Sequence, residues 1–135
     1  MAVIESQLEA DSAEFQNNAH VMLRAVDEFR SIERRVIESA AAKAPRYIER
    51  GLLPPRDRLS LLLDPGAPFL DLSTLCGYLQ EEDVDGSGAG GSCIAGIGYI
   101  EDTRCMVMVD DYLTKGGSIT PLGGEKRQRM LQLAE

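Results

Sequence analysis

The stretch Val109-Asp-Asp-Tyr-Leu-Thr-Lys-Gly-Gly-Ser-Ile-Thr-Pro-Leu-Gly-Gly-Glu-Lys126 decides how this chain is read. Upstream of it lies the apolar run Cys105-Met-Val-Met-Val109, a buried-strand pattern. Downstream, Leu122, Met130, Leu133 and Ala134 recur at helical spacing. Between strand and helix stand Gly116-Gly117-Ser118, Pro121 and a second glycine pair. Glycines in such a link let backbone N–H groups approach a ligand, and a helix N-terminus favours negative charge. Lys115 and Lys126 flank the turn, so the residue types point to an anionic ligand.

Working outward, Ser92–Tyr99 and Thr103–Val109 are predicted strands, joined by the polar pair Glu101-Asp102 into an antiparallel hairpin. Gly96 and Gly98 within the first are expected to admit close packing of another backbone. Phe69–Leu72 is a short strand candidate. Residues 81–91, acidic and then glycine-rich, read as an exposed flexible loop. Gly86-Ser-Gly88-Ala-Gly-Gly91 matches the dinucleotide spacing G-x-G-x-x-G, but acid precedes it where a strand should, and a strand follows where a helix should.

The first fifty residues are helical in pattern. Asp11-Ser-Ala-Glu14 resembles a capping box. Behind it Phe15, Ala19, Met22, Leu23, Val26, Phe29, Val36, Ile37 and Ala40 form one apolar stripe, expected to be buried against the same chain or a neighbouring subunit. Pro45 should restart the helix, Gly51 should end it, and residues 53–63 should form a short helix stopped by Asp64-Pro65-Gly66. Arg56 and Arg58 are expected to pair with Asp57, Asp64 or a partner subunit. His20, the one histidine, reads as an exposed helix residue.

At 135 residues with 44% hydrophobic content, the chain is long enough for one core. Its formal charge of −8 opposes nucleic acid and anionic membranes. No apolar run approaches the length of a membrane span, and acid stands where a secretory signal would carry base. Cys76, Cys93 and Cys105 lack C-x-x-C spacing and read as reduced thiols of a cytoplasmic protein, without metal.

Taken together, Arg46-x-x-x-Arg50-Gly51-x-Leu53-x-Pro55-Arg56-x-Arg58, Leu61-Leu-Leu63-Asp64-Pro65-Gly66-x-Pro68-Phe69-Leu70, Gly90-Gly91, Gly96-Ile97-Gly98, Val109-Asp110-Asp111 and Lys115-Gly116-Gly117-Ser118-Ile119-x-Pro121 resemble the carboxyltransferase (β) subunits of biotin-dependent acyl-CoA carboxylases. The geranyl-CoA type is nearest in look. The resemblance runs in register over about residues 10–135. It departs at Asp110, where the family commonly has Asn, and at Leu52, beside which the family usually carries Lys.

The resemblance implies an α+β fold: residues 1–51 as an N-terminal helical segment, and 52–135 as the beginning of a crotonase-like domain of stacked ββα units. It implies transfer of a carboxyl group from carboxybiotin, carried on a partner subunit, to an acyl-CoA of the geranyl, methylcrotonyl or propionyl kind. Implied partners are a biotin carboxylase or biotin carrier subunit and further copies of the carboxyltransferase subunit. The family's thioester-binding glycine turn and its biotin domain would lie beyond residue 135, so the chain alone is expected to be inactive and no catalytic residue is assigned. Gly116, Gly117, Ser118 and Lys126 are the candidate CoA contacts. For the glycine turn, a purely structural role remains open; for Lys126, a solvated first-turn position does. Two other readings remain, a non-catalytic scaffold and a crotonase-type hydratase or decarboxylase.

Overall fold

The computed structural model describes residues 6, 8–80 and 83–135. It is an α+β chain with the order α1 (Ala13–Ala41), α2 (Ala44–Ile48), α3 (Pro55–Leu62), β1 (Leu70–Asp71), β2 (Cys93–Ile100), β3 (Thr103–Asp110) and α4 (Pro121–Ala134). Two compact units meet in sequence at Ile32 and Glu33, inside α1. No helix among the described residues is long and apolar enough to cross a membrane.

In the first unit, α1 is capped one residue later than the capping-box spacing suggests. The Phe15 N–H donates to Ser12 Oγ at 3.2 Å, so Ser12, not Asp11, closes the first turn. Along the whole of α1 no residue is buried. Met22 (64%) and Leu23 (62%) stand in solvent, and Val26 and Phe29 are also exposed. Within the first unit, Met22, Leu23, Val26 and Phe29 of the expected stripe therefore lie exposed.

The second unit holds the sheet. Its strands run antiparallel in the order β1-β2-β3, with Ile94 opposite Val109 and Ile100 opposite Thr103. The hairpin is the one expected. Glu101 (φ 50°) and Asp102 (φ 59°) take left-handed conformations that side chains rarely adopt. The Asp64 carboxylate offsets that strain by accepting both of their N–H groups, at 2.7 and 2.8 Å. Asp64 thus secures the hairpin tip, and the arginine expected to pair with it bonds elsewhere: Arg56 meets Asp71 at 3.1 Å.

Side chains alternate across β2 and build two cores. Ile94 joins Leu59 of α3 with Val107 and Val109 on one face. Cys93 and Ala95 join Met130 of α4 on the other. Met130 is 1% exposed, a burial that contributes about 1.5–3 kcal/mol. Gly96 performs the expected packing role. A Cβ there would collide with the Leu70 carbonyl oxygen and the Phe69 ring, so any side chain would push β1 off the sheet.

The loop before β2 differs from the flexible segment expected, over its described part; Glu81 and Glu82 lie outside the described residues. Asp83 is buried, and its carboxylate accepts the N–H groups of Leu79 (3.0 Å) and Gly88 (2.8 Å). Gly90 N–H donates to the Cys76 carbonyl at 2.8 Å. One buried carboxylate therefore organises a segment whose composition suggests only flexibility.

Candidate functional site

The link from β3 to α4 begins on a carboxylate. Asp111 accepts Leu113 N–H and the Thr114 hydroxyl, both at 3.0 Å, and its own N–H donates to the Ser92 carbonyl. This pins the chain as it leaves the sheet. Lys115 (φ 48°), Gly116 (φ 64°) and Gly117 (φ 83°) then follow one another in the left-handed region. Only glycine reaches it freely, which accounts for the Gly-Gly pair.

The turn is largely self-bonded. Gly117 N–H donates to Thr114 O at 3.0 Å, and Ser118 N–H donates to Lys115 O at 3.2 Å. The Ser118 hydroxyl donates to the same carbonyl at 3.0 Å. Gly116 is exposed and has open space where a side chain would stand. Gly116 is therefore the most open point of this turn.

The start of α4 is already occupied. Thr120 caps it, its hydroxyl accepting Gly123 N–H at 3.1 Å. Gly123 faces Gly91 so closely that a Cβ on it would overlap the Gly91 carbonyl oxygen. Lys126 sits one turn further on, and here the solvated lysine expected from sequence is corrected. Its side chain is 5% exposed, and the ammonium donates to Cys93 O at 2.6 Å and Gly90 O at 3.1 Å. Burial pushes its pKa below the usual lysine value, opposed by nearby Cys93 and Asp71. Arg127 braces the same place, donating to Asp110 Oδ1 at 2.6 Å and Ser92 O at 3.3 Å. Lys126 and the Gly116 turn, grouped by sequence, thus serve different surroundings.

Sequence reasoning passed over a cavity of about 300 Å³ in the second unit. Its walls are aliphatic, with Ile37, Ala41, Ala44, Ile48, Pro55 and Leu113 among them, and with Arg56 and Asp57 at the wall. The available signal was the alanine run Ala40-Ala41-Ala42 with Ala44: small side chains at a helix end leave a concavity. Beside it the Tyr47 and Tyr112 rings lie 4.9 Å apart between centroids, tilted by 45°. The Tyr112 hydroxyl donates to Leu53 O at 2.6 Å, and its Cβ would be 3.3 Å from a side chain on Gly117. Tyr112 therefore joins the glycine turn to Leu53, which precedes the cavity-lining Pro54 in the chain.

No family model matches the chain. Among curated proteins it is 37% identical to a probable methylcrotonoyl-CoA carboxylase beta chain, mitochondrial, of Drosophila melanogaster, over 98% of this chain and 23% of that protein. It is 32% identical to a probable biotin-dependent acyl-coenzyme A carboxylase beta2 subunit of Mycobacterium tuberculosis, over 98% of this chain and 24% of that one. Among solved structures, the beta subunit of Pseudomonas aeruginosa geranyl-CoA carboxylase superposes with a TM-score of 0.84 at 46% identity, covering 98% of this chain and 24% of that one. The chain spans about a quarter of the length of each.

Proposed function

We propose that this chain, similar over about a quarter of their length to β chains of biotin-dependent acyl-CoA carboxylases, forms the acyl-CoA-facing start of a carboxyltransferase. The observation that carries this reading is the 46% identity to the geranyl-CoA carboxylase beta subunit, sustained over 98% of the chain. It favours geranyl-CoA over the shorter acyl-CoAs as substrate. Residues 52–135 are read as the beginning of the crotonase-like domain.

In such a reaction carboxybiotin supplies the carboxyl group, and the protein holds the thioester while negative charge develops on its oxygen. Positioned N–H donors usually contribute most to that step. In this chain, Gly116, Gly117 and Ser118 are proposed to face the CoA, with Gly116 making the closest approach. Lys126 acts indirectly, fixing the Gly90 and Cys93 carbonyls. The Gly117 and Ser118 N–H groups already bond within their own turn, so neither is a free donor to a biotin ureido ring or to the CoA, and the closest CoA approach is left to Gly116. Biotin is therefore assigned to a partner subunit and to other parts of the enzyme, and no metal is assigned.

The exposed face of α1 around Met22, Leu23, Val26 and Phe29 supports assembly with further polypeptide, either other copies or a biotin-carrying subunit. The unbridged thiols of Cys93 and Cys105 suit a reducing compartment such as the cytoplasm.

The test is a segment exchange. This chain replaces the matching quarter of the P. aeruginosa beta subunit, and geranyl-CoA carboxylation is assayed beside the chain alone. The expected result is turnover by the exchanged subunit and none by the chain alone. A folded, assembled exchange product without activity contradicts the proposed function, and turnover by the chain alone contradicts its dependence on other parts.

A further inference from the structure

We infer that Tyr112 is a positioning residue for the acyl-CoA: its hydroxyl, anchored on the Leu53 carbonyl, holds the Gly116 turn in its binding shape. The inference rests on the acyl-CoA reading above. It adds a side chain that acts through the turn without touching the ligand.

Three observations carry it. First, the turn is costly to hold. Lys115, Gly116 and Gly117 are left-handed in succession, and Lys115 lacks a glycine's freedom to be so. The bonds from Gly117 N–H to Thr114 O and from Ser118 N–H to Lys115 O are local, so they close the turn without tying it to a distant element. Second, Tyr112 supplies that tie. Its hydroxyl donates at 2.6 Å to Leu53 O, 59 residues away in the chain. Its own backbone lies under Gly117, where an added Cβ would stand 3.4 Å from Tyr112 Cα. Third, the acceptor is itself held. Pro54 confines the Leu53 backbone to extended conformations, and the residue before it folds back on α2, with Leu52 N–H donating to Tyr47 O at 3.0 Å. The Tyr47 ring in turn lies against the Tyr112 ring. A turn ordered in advance binds without first losing freedom, so removing the anchor subtracts from affinity. The rate of the complex once formed stays the same.

The experiment uses the exchanged beta subunit described above, assembled with its biotin-carrying partner, and compares Tyr112→Phe with the parent. The variant keeps the ring, its contact with Tyr47 and the backbone under Gly117, and loses only the hydroxyl. The expected result is a KM for geranyl-CoA raised about two- to tenfold, the range one such hydrogen bond corresponds to, with kcat unchanged. Amide exchange at residues 116–118 should quicken in the variant without acyl-CoA, and match the parent at saturating geranyl-CoA. An unchanged KM, or a fall in kcat without a rise in KM, overturns the inference and leaves the acyl-CoA reading standing. If the parent exchanged subunit, folded and assembled, carboxylates no geranyl-CoA, both fall.

Discussion

Gly123→Ala is expected to destabilise the chain by about 1–3 kcal/mol, although the same change in a helix ordinarily stabilises. The reason is the contact between the first turn of α4 and the Gly91 turn. A Cβ at 123 overlaps the Gly91 carbonyl oxygen, and one at 91 would stand 2.7 Å from Gly123 Cα. Both partners are backbone, so neither yields by rotating a side chain. Gly124 is the internal control, since the nearest atom to a Cβ there is Ile119 Cγ2 at 4.0 Å. Gly124→Ala should therefore stabilise by about 0.5–1 kcal/mol through reduced backbone freedom in the unfolded chain. Urea unfolding of the two variants should move the midpoint in opposite directions; equal shifts would refute the close α4 contact.

The second large effect is at Lys126. Hydrogen bonds from a charged donor contribute about 1.5–3 kcal/mol, and loss of the donor leaves the Cys93 carbonyl without the ammonium that meets it at 2.6 Å. Lys126→Ala, which also removes the packed stem, should cost about 3 kcal/mol. Lys126→Met should cost less, because it keeps the stem and removes a buried charge. The pH dependence has a definite sign. Burial lowers the folded pKa below 10.5, so between the two values the unfolded chain binds the proton and the folded chain does not. Stability from this group accordingly rises as pH climbs from the folded pKa toward 10.5, and is lowest below that window. Thermal unfolding from neutral pH to pH 10 should show the parent gaining on Lys126→Met. A parallel course for the two proteins would place the lysine in solvent.

These two residues also mark where sequence reasoning stopped. The hairpin was legible because apolar runs flank a two-residue polar turn, and Gly96 because alternating glycines in a strand announce a close neighbour. The glycine turn after β3 was legible as a turn, since only glycine tolerates consecutive left-handed residues. Lys126 was not. A lysine in a first helical turn is ordinarily solvated, and the carbonyls that hold it lie more than thirty residues earlier in the chain. Asp83 was missed for the same reason: its role depends on a loop closing around it, while its local composition reads as flexible. The α1 stripe was legible as amphipathic, but periodicity alone does not say which polypeptide covers it. The aliphatic cavity left only an alanine run as its trace.

The likeness to transcarboxylase 12S, solved with methylmalonyl-coenzyme A and methylmalonic acid bound, extends the fold comparison. At 17% identity and a TM-score of 0.69 over 83% of this chain, it shows a shared fold and nothing about the ligand. Fold and ligand are thus separate questions for this chain. The fold follows from glycine-mediated packing of β1 and α4 on a two-stranded hairpin.

The most direct measurement is calorimetric titration of the chain with geranyl-CoA, with free biotin as the comparison. Saturable binding of one geranyl-CoA per chain, weakened when Gly116→Val covers the exposed turn, and no binding of biotin, is the predicted result. Absence of saturable geranyl-CoA binding by the folded chain would contradict the account.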